Sequence, residues 1–571
     1  MYIPEIVKSL KEYNSKKFSS DLISGLVVGI VALPLAIAFG IASGVAPSKG
    51  LITAIIGGLL VSIFGGSRFQ IGGPTGAFII IVYGIIQEFG IMGLTIATAM
   101  AGTILIIMGI IKFGSLIKYI PYPVVVGFTS GIALLIFSTQ IKDFLGMHID
   151  KIPSEFHLKW YLYFSNITNV NIYSSITGIS SLIIIILWQK ITHKVPGSII
   201  AIIITTLIVQ LFHLPIETIG SKFGSFSSGL PTPTFLQINL GVIQKLIQPA
   251  TAIALLAAIE SLLSAVVADG MTGTKHNSNM ELIAQGIANI GTSLFGGIPV
   301  TGAIARTATN IKNGGKTPVA GIIHALVLLF VMLFFGNFAM LIPMPTLAAI
   351  LIVVSYNMSE WRSFKELLSS PKSDIIVLFT TFFLTVVFDL SLALEVGMVL
   401  SAFLFMKRMS EVTSIETIRG GIQKNDVEDD PNNVSKKIIP HEVDVFEING
   451  PFFFGAVNKF TDEINIVSTP PKIIIIRMRN VLAIDATGLN TIKTLYHTLK
   501  KKNIQLILSG VHTQPLFAMT QSGILNLIDE KFIFGNIDDA LDKARELLGL
   551  PQIGRPLDFV PTVKREIQNK Q

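Results

Sequence analysis

The chain has 571 residues, 51% of them hydrophobic and only 14% charged, with a mean hydropathy of +0.66. That is more apolar sequence than a water-soluble core can bury, so the composition describes an integral membrane protein. The formal charge of +7 does not imply a nucleic-acid partner, because Lys and Arg gathered in the cytoplasmic loops of a polytopic protein raise the total equally, and the lack of cysteine excludes disulfides and thiolate metal sites.

Met1 to Lys17 lacks a cleavable signal pattern, and residues 1–20 read as a cytoplasmic N-terminal segment. Fourteen membrane segments follow, starting near Leu22, Gly50, Pro74, Met92, Val124, Ser175, Gly197, Ile247, Leu282, Val300, Pro318, Leu341, Asp374 and Leu392. They make a transport domain over 21–409 with halves of about 21–213 and 247–409. With the N-terminus inside, every second connection should be basic. Those connections carry Arg68; Lys112 and Lys118; Lys190 and Lys194; Lys275; Lys312 and Lys316; Arg362, Lys365 and Lys372; and Lys407 and Arg408. The opposite turns Phe89 to Ile91, Gly336 to Met340 and Asp389 to Ser391 hold no Lys or Arg. Two long loops, Ile141 to Ile172 and Leu214 to Leu246, do hold lysines, and long loops obey the rule poorly.

Residues 410–440, with an acidic run at 426–430, read as a linker. A small α/β domain follows over 441–550, with strands at Val443 to Ile448, Lys472 to Met478 and Ile504 to Ser509. Its helices are expected at Ala456 to Ile464, Gly488 to Lys500 and Asp538 to Leu547, and residues 551–571 form a tail. An even number of spans places this domain in the cytoplasm with the N-terminus.

Gly73-Pro74-Thr75-Gly76-Ala77-Phe78 recurs as Pro299-Val300-Thr301-Gly302-Ala303-Ile304, and each copy follows Ser-aliphatic-Phe-Gly-Gly, at Ser62 to Gly66 and Ser293 to Gly297. Paired Gly/Pro interruptions in two halves of a hydrophobic chain point to the substrate site of an inverted-repeat transporter. An anion leaving water needs replacement donors, because an unpaired charge in a low-dielectric medium is unfavourable. Broken helices supply them. Val300 to Ile311 has twelve residues, which reach roughly 18 Å against a hydrocarbon core of about 30 Å. Its N-terminus would leave free N–H groups at mid-membrane, facing Thr75 to Phe78 of the other half. Pro74 and Pro299 suit first-turn positions, Gly76 and Gly302 permit close approach, and the Thr75 and Thr301 hydroxyls could donate. Tight helix packing is the competing explanation of such small residues, and it suffices for Gly25 with Gly29 and Gly40 with Gly44.

Arg306, on the expected short helix, could set positive charge at this site or snorkel to the surface. Glu260 stands in the apolar span Ile247 to Ala268. It could carry a proton, bind sodium with Ser264 one turn later, or form a static pair with Arg306. Asp389 and Glu395 read as solvated helix ends and His324 as a structural core histidine. No metal-ligand cluster, nucleophile–base set or P-loop emerges, which argues against an enzyme or a primary pump and for no cofactor.

Pro47 to Ala54, continuing through Phe64-Gly65-Gly66-Ser67-Arg68, resembles the signature of the sulfate permease (SulP) family, related to the solute carrier 26 anion transporters. Two aromatic positions of that signature are Lys49 and Ile52 here, which suggests a bacterial branch. Gln70 to Phe78, Ala258 to Asp269 and Gly296 to Asn310 extend the likeness over nearly the whole chain. Glu447 to Gly455 and Asp485-Ala486-Thr487-Gly488 resemble STAS domains. The resemblance implies seven plus seven inverted helices in core and gate domains, a homodimer, and Ala38, Phe39 and Gly40 near the substrate pocket, with core packing an equally good reading of those three. It also implies that Arg306 lends positive charge to the anion site. Thr487 stands where STAS-fold antagonists carry a phosphorylatable Ser, so it is a candidate regulatory site, beside a bland reading of Asp485-Ala486-Thr487-Gly488 as a helix cap.

The sequence therefore leads to a secondary transporter of a small anion in the bacterial inner membrane, both termini cytoplasmic, coupled to H+ or Na+. Sulfate is the first expectation; bicarbonate and C4-dicarboxylates are the alternatives. The substrate-binding residues expected are Ala38, Phe39, Thr75, Gly76, Ala77, Val300, Thr301, Gly302, Ala303 and Arg306, with Glu260 and Ser264 for the coupling ion. The partners expected are the anion, the bilayer, a second copy and a cytoplasmic regulator of the STAS domain. An anion sensor or scaffold signalling through that domain, and a channel-like conductor, are the rival classes.

Overall fold

A computed structural model describes residues 3–115, 120–149, 152, 153, 155–191, 196–224, 233, 240–388, 390–419, 434, 437–465 and 470–554. Lys118, Lys194, Asp389, the run 426–430 and the tail from 555 onward lie outside the described residues. Contacts divide the chain into two units, Met1–Ser401 and Ala402–Gln571.

The first unit begins with α1 (Glu5–Lys11), α2 (Ser15–Ala42), α3 (Pro47–Ile52), a π turn (Thr53–Gly57) and α4 (Gly58–Phe64). The strand β1 (Gly72–Gly73), α5 (Phe78–Ile110), α6 (Tyr122–Leu145), α7 (Phe156–Ser165), α8 (Ile172–Ile191), α9 (Gly197–Leu211) and α10 (Ile219–Phe223) complete its first half. Its second half holds α11 (Leu240–Thr272), α12 (Ser278–Leu294), β2 (Thr301–Gly302), α13 (Ile304–Lys312), α14 (Val319–Ala339), α15 (Met344–Met358), α16 (Trp361–Leu367), α17 (Lys372–Val387) and α18 (Leu390–Val412). Among the described residues, six helices are long and apolar enough to cross a membrane: Ser15–Ala42, Pro47–Phe64, Phe78–Ile110, Tyr122–Leu145, Gly241–Thr272 and Val319–Ala339. The segments expected to start at Pro74 and Met92 are two arms of α5, broken at Gly90, whose φ of 67° only glycine adopts freely.

Two helix groups stand out, each packed chiefly within itself. One joins α2–α5 with α11–α14, chiefly through α5 against α11 and α12 and through α2 against α14. The other joins α6 to α15 and α17, and α8 to α9 and α15. Gly25 does serve packing, since a Cβ there would meet the Ala320 carbonyl at 2.5 Å. Polar anchors fix the end of α13 away from β2. Asp21, fully buried on α2, accepts from Lys316 N at 2.6 Å and Thr317 N at 3.1 Å, and Tyr13 OH donates to it at 3.2 Å. Burial, then the Asp21 charge, pushes the Tyr13 hydroxyl up to about 12, so it remains a donor at neutral pH.

The second unit is a five-stranded sheet in the order β3 (Ser414–Arg419), β4 (Val443–Asn449), β5 (Ile473–Asn480), β6 (Gln505–Ser509), β7 (Ile533–Phe534). β4 to β7 run parallel and β3 pairs antiparallel with β4. The helices are α19 (Phe454–Asn465), α20 (Ala486–Lys501), α21 (Thr513–Gln521), α22 (Ile524–Ile528) and α23 (Ile537–Leu547). Alternate strand residues face two cores: Phe446, Ile474 and Ile476 with Phe460 and Ile492, and Val445, Ile473, Ile475 and Ile507 with Ile537 and Leu541. β3 corrects the reading of 410–440 as linker alone; its charged Glu416 and Arg419 disguise an edge strand.

Candidate functional site

The two Gly-rich interruptions meet. β1 pairs antiparallel with β2, Gly72 opposite Gly302 and Gly73 opposite Thr301, and Ala303 N donates to Ile71 O at 2.9 Å. α5 starts after β1 and α13 after β2, so two helix N-termini approach one crossing from opposite halves. Neither N-cap, Ala77 or Ala303, supplies a side-chain cap; at α5 the Phe78 and Ile79 N–H groups donate to the Thr75 and Gly76 carbonyls at 3.4 and 3.1 Å, so the first turn of α13 is the one that offers N–H groups to an anion. Ile304 at the start of α13 is 41% exposed, whereas Thr301 and Gly302 behind it are buried.

Three sequence expectations change in detail. The short helix starts at Ile304, not Val300, because the residues from Pro299 to Ala303 are extended into β2. Pro74 lies between β1 and α5 and Pro299 before β2, so neither occupies a helix first turn. Val300 is clamped, its N–H donating to Asn289 Oδ1 at 3.0 Å and its carbonyl accepting from Asn289 Nδ2 at 2.8 Å, and its side chain packs on Val61 and Ala288. The Thr301 hydroxyl donates to Ala257 O at 2.9 Å, so its hydrogen is committed to α11.

Arg306 is only 2% exposed, so it does not snorkel. Its Nη2 donates to Pro74 O at 3.0 Å, and its Nη1 lies so close to Gly73 that a Cβ there would sit 1.8 Å away. Positive charge from the second half thus lies on the strand of the first. Glu260 accepts from Thr75 Oγ1 at 2.7 Å and makes no ion pair among the described residues, so the static pair with Arg306 is not formed. Ser264 has a different partner from Glu260: its Oγ donates to Thr307 Oγ1 at 3.1 Å, and that oxygen also accepts from Ile71 N at 3.1 Å. Ser264 thus supports β1 through α13. Among the described residues no group of three or more acidic or histidine side chains could hold a metal ion.

Phe39, Gly76, Ile136 and Met358 converge: a Cβ at Gly76 would meet Met358 Sδ at 2.9 Å, Ile136 Cδ1 at 3.1 Å and Phe39 Cε1 at 3.5 Å. Ile136 and Met358 belong to α6 and α15, so this edge of the site abuts the second helix group. Ala38 and Ala77 are buried beside it. His324 is fully buried on α14, and Glu395 is exposed.

Residues the sequence reading missed hold the crossing in place. Glu281, fully buried on α12, accepts from Gly66 N at 2.9 Å, Ser67 N at 3.2 Å, Gln70 Nε2 at 3.2 Å and Gln285 Nε2 at 2.8 Å. Four N–H donors thus converge on one carboxylate and tie the turn after Phe64, and Gln70 with it, to α12. Gln70 Nε2 also donates to Ser261 O at 2.9 Å and lies where a Gly302 Cβ would be, 1.7 Å away. In α12 the polar positions Glu281, Gln285 and Asn289 recur every four residues, a one-sided polar stripe in a membrane segment and the signal that could have found them.

The family model described as the Sulfate permease family matches residues 18–381, and the STAS domain model matches residues 435–543. The chain belongs to the sulfate permease family. It is 40% identical over 531 residues to "Putative sulfate transporter YvdB" of Bacillus subtilis (strain 168), covering 93% of this chain and 98% of that protein. It is 30% identical over 447 residues to "Bicarbonate transporter BicA" of Picosynechococcus sp., covering 73% and 75%. Among solved structures, the murine Slc26a9 anion transporter in the inward-facing state matches with a TM-score of 0.85 at 19% identity, over 95% of this chain and 94% of that one, which shows a shared fold. The transmembrane domain of a cyanobacterial BicA matches with a TM-score of 0.61 at 31% identity, over 67% and 98%. This sulfate permease family member is accordingly an anion transporter of the multi-pass membrane class with a C-terminal STAS domain, and not an enzyme.

In the STAS domain Asp485 caps α20, its Oδ1 accepting from Gly488 N at 2.8 Å and its Oδ2 from Phe454 N at 3.1 Å. Thr487 is exposed in the first turn of that helix, open to a modifying enzyme and beside the positive end of the helix dipole.

Proposed function

We propose that this protein is a secondary active transporter that carries sulfate across the bacterial inner membrane together with a proton, as a homodimer with both termini in the cytoplasm. The observation that carries the coupling is the Thr75–Glu260 hydrogen bond beside the β1–β2 crossing. With Glu260 ionised, the Thr75 hydrogen is spent on the carboxylate, and the Glu260 charge offsets that of Arg306. With Glu260 protonated, its O–H donates to Thr75 Oγ1 and the Thr75 hydrogen turns to the anion. The site then also gains net positive charge. Proton and anion each favour the other's binding, which is the free-energy coupling a symporter needs. Sodium at Glu260 is the alternative driver; bicarbonate and C4-dicarboxylates are alternative substrates, bicarbonate being the one named for BicA.

Uptake of labelled sulfate into proteoliposomes with imposed proton or sodium gradients, and with bicarbonate and fumarate as competitors, tests this. Accumulation driven by an inward proton gradient is the expected result. Entry without uphill movement under either gradient would instead describe a conductor, and binding without transport a sensor. Thr75→Val, which keeps the shape and removes the hydroxyl, is expected to raise the sulfate KM about 3- to 10-fold, as loss of one hydrogen bond does, and to flatten the dependence of KM on pH. For the STAS domain we propose phosphorylation of Thr487 as a contact switch for a cytoplasmic regulator; mass spectrometry of the protein from its native cell reads it directly.

A further inference from the structure

The strand β2 is reached through an extended segment, and side chains from three places hold it at every second residue. Lys49 Nζ donates to Gly296 O at 2.8 Å. Thr53 Oγ1 accepts from Ile298 N at 2.7 Å and lies 3.2 Å from Ile298 O. Asn289 both donates to and accepts from Val300. Residues 298 and 300 share one edge of the extended chain, because neighbouring strand positions alternate, and Gly296 stands in the left-handed turn that leads into it. Polar side chains thus occupy the place a neighbouring strand would fill, and β2 begins one residue further on.

The approach to β1 is held by a related device of opposite polarity. There Asn277, the N-cap of α12, and Glu281, four residues on, hold the turn after Phe64: Asn277 N donates to Gly66 O at 2.9 Å, and Gly66 N and Ser67 N donate to Glu281. Lys49 and Thr53 are likewise spaced one turn apart and hold the turn after Phe295. A carboxylate grips amide hydrogens in one half, and an ammonium grips a carbonyl in the other. Gly296 has a φ of 68°, so its carbonyl is aimed by a left-handed turn that the Lys49 amine then fixes.

We propose that Lys49 is a positioning residue for anion binding: by holding the Gly296 carbonyl it sets the position of residues 298–302, and with them the N-terminus of α13. Among the described residues the Lys49 amine bonds to the Gly296 carbonyl and makes no hydrogen bond or ion pair to Arg306 or Glu260, so it acts through the segment it grips. The half-buried ammonium costs desolvation, and its bond to a fixed carbonyl recovers part of that cost. The inference rests on the β1–β2 crossing being the anion site, so Arg306→Gln is measured beside it. An unchanged KM in Arg306→Gln would remove that underlying reading; a raised KM in Arg306→Gln with an unchanged KM in Lys49→Met would remove this inference alone.

The test uses the full chain in proteoliposomes, with labelled sulfate and, as a second arm, labelled bicarbonate. Lys49→Met keeps length and removes the donor; it is expected to raise KM about 3- to 10-fold with kcat within about 2-fold of wild type, the scale of one lost hydrogen bond. Lys49→Arg, which restores a donor and the charge, should return KM to within about 2-fold. The shift should persist at high salt. A KM shift that vanishes with added salt would mean long-range attraction of the anion and would overturn the proposal. So would an unchanged KM, or an equal fall in kcat with a lower melting temperature. If Lys49→Met is not recovered from membranes, Thr53→Val breaks the next bond along the same edge. It carries the same expected rise in KM, and an unchanged KM there also overturns the proposal.

Discussion

Glu260→Gln should abolish proton-driven accumulation of the anion while leaving anion exchange intact. The glutamine side chain retains an oxygen to accept from Thr75 and an amide to donate to it, so the 2.7 Å contact survives in either sense. What it loses is the change of charge. The variant stays in the state that binds the anion, and anion can enter and leave without a proton. One-to-one coupling of a proton to sulfate moves one net negative charge, so with the membrane potential clamped at zero a gradient of about one pH unit supports at most roughly tenfold accumulation. The wild type should approach that limit, and Glu260→Gln should stop at an internal-to-external ratio of about 1 under the same gradient. Counterflow, in which labelled external anion exchanges with unlabelled internal anion, is the companion measurement. Retained counterflow with lost accumulation identifies Glu260 as the coupling group. Persistent accumulation would reject it, and loss of both would mean that the carboxylate holds the site together and does not carry the proton.

The repeat of the Pro/Thr/Gly/Ala motif makes the crossing legible in the sequence, because Gly and Pro in matching places of two apolar halves have few physical explanations. Its partners were harder to read. Thr301 and Thr75 look alike in sequence, yet one hydroxyl is spent on the Ala257 carbonyl and the other on Glu260. No local pattern distinguishes them, because both acceptors lie far along the chain. Glu260 and Ser264 share a helix face by spacing, but the short serine reaches Thr307 on α13. Glu281, Gln285 and Asn289 form a polar stripe that periodicity exposes, but what they grip, Gly66 and Val300, becomes visible only when the two halves are interleaved. β3 escaped notice because an edge strand with charged residues has the composition of a linker.

Gly73→Ala tests whether the place of Arg306, and not merely its presence, sets anion affinity. A Cβ at position 73 would stand 1.8 Å from Arg306 Nη1, far inside van der Waals contact. The backbone of Gly73 is paired to Thr301 and cannot yield without opening the crossing. The guanidinium is the mobile partner and must move, but it is 2% exposed and bonded to Pro74 O, so moving it gives up that bond. A hydrogen bond made by a charged group is worth about 1.5–3 kcal/mol, so the anion KM should rise roughly tenfold or more, with protein abundance little changed. Arg306→Gln should give a rise of the same order. Because both substitutions act on one guanidinium, the double variant should be no worse than the more impaired single one; additive losses would mean that Gly73 acts through something else. Gly302→Ala separates this from generic crowding. The group it displaces, Gln70 Nε2 at 1.7 Å, is bonded to Ser261 and Glu281. That variant should therefore lose thermal stability as well as affinity, and its loss should add to that of Arg306→Gln.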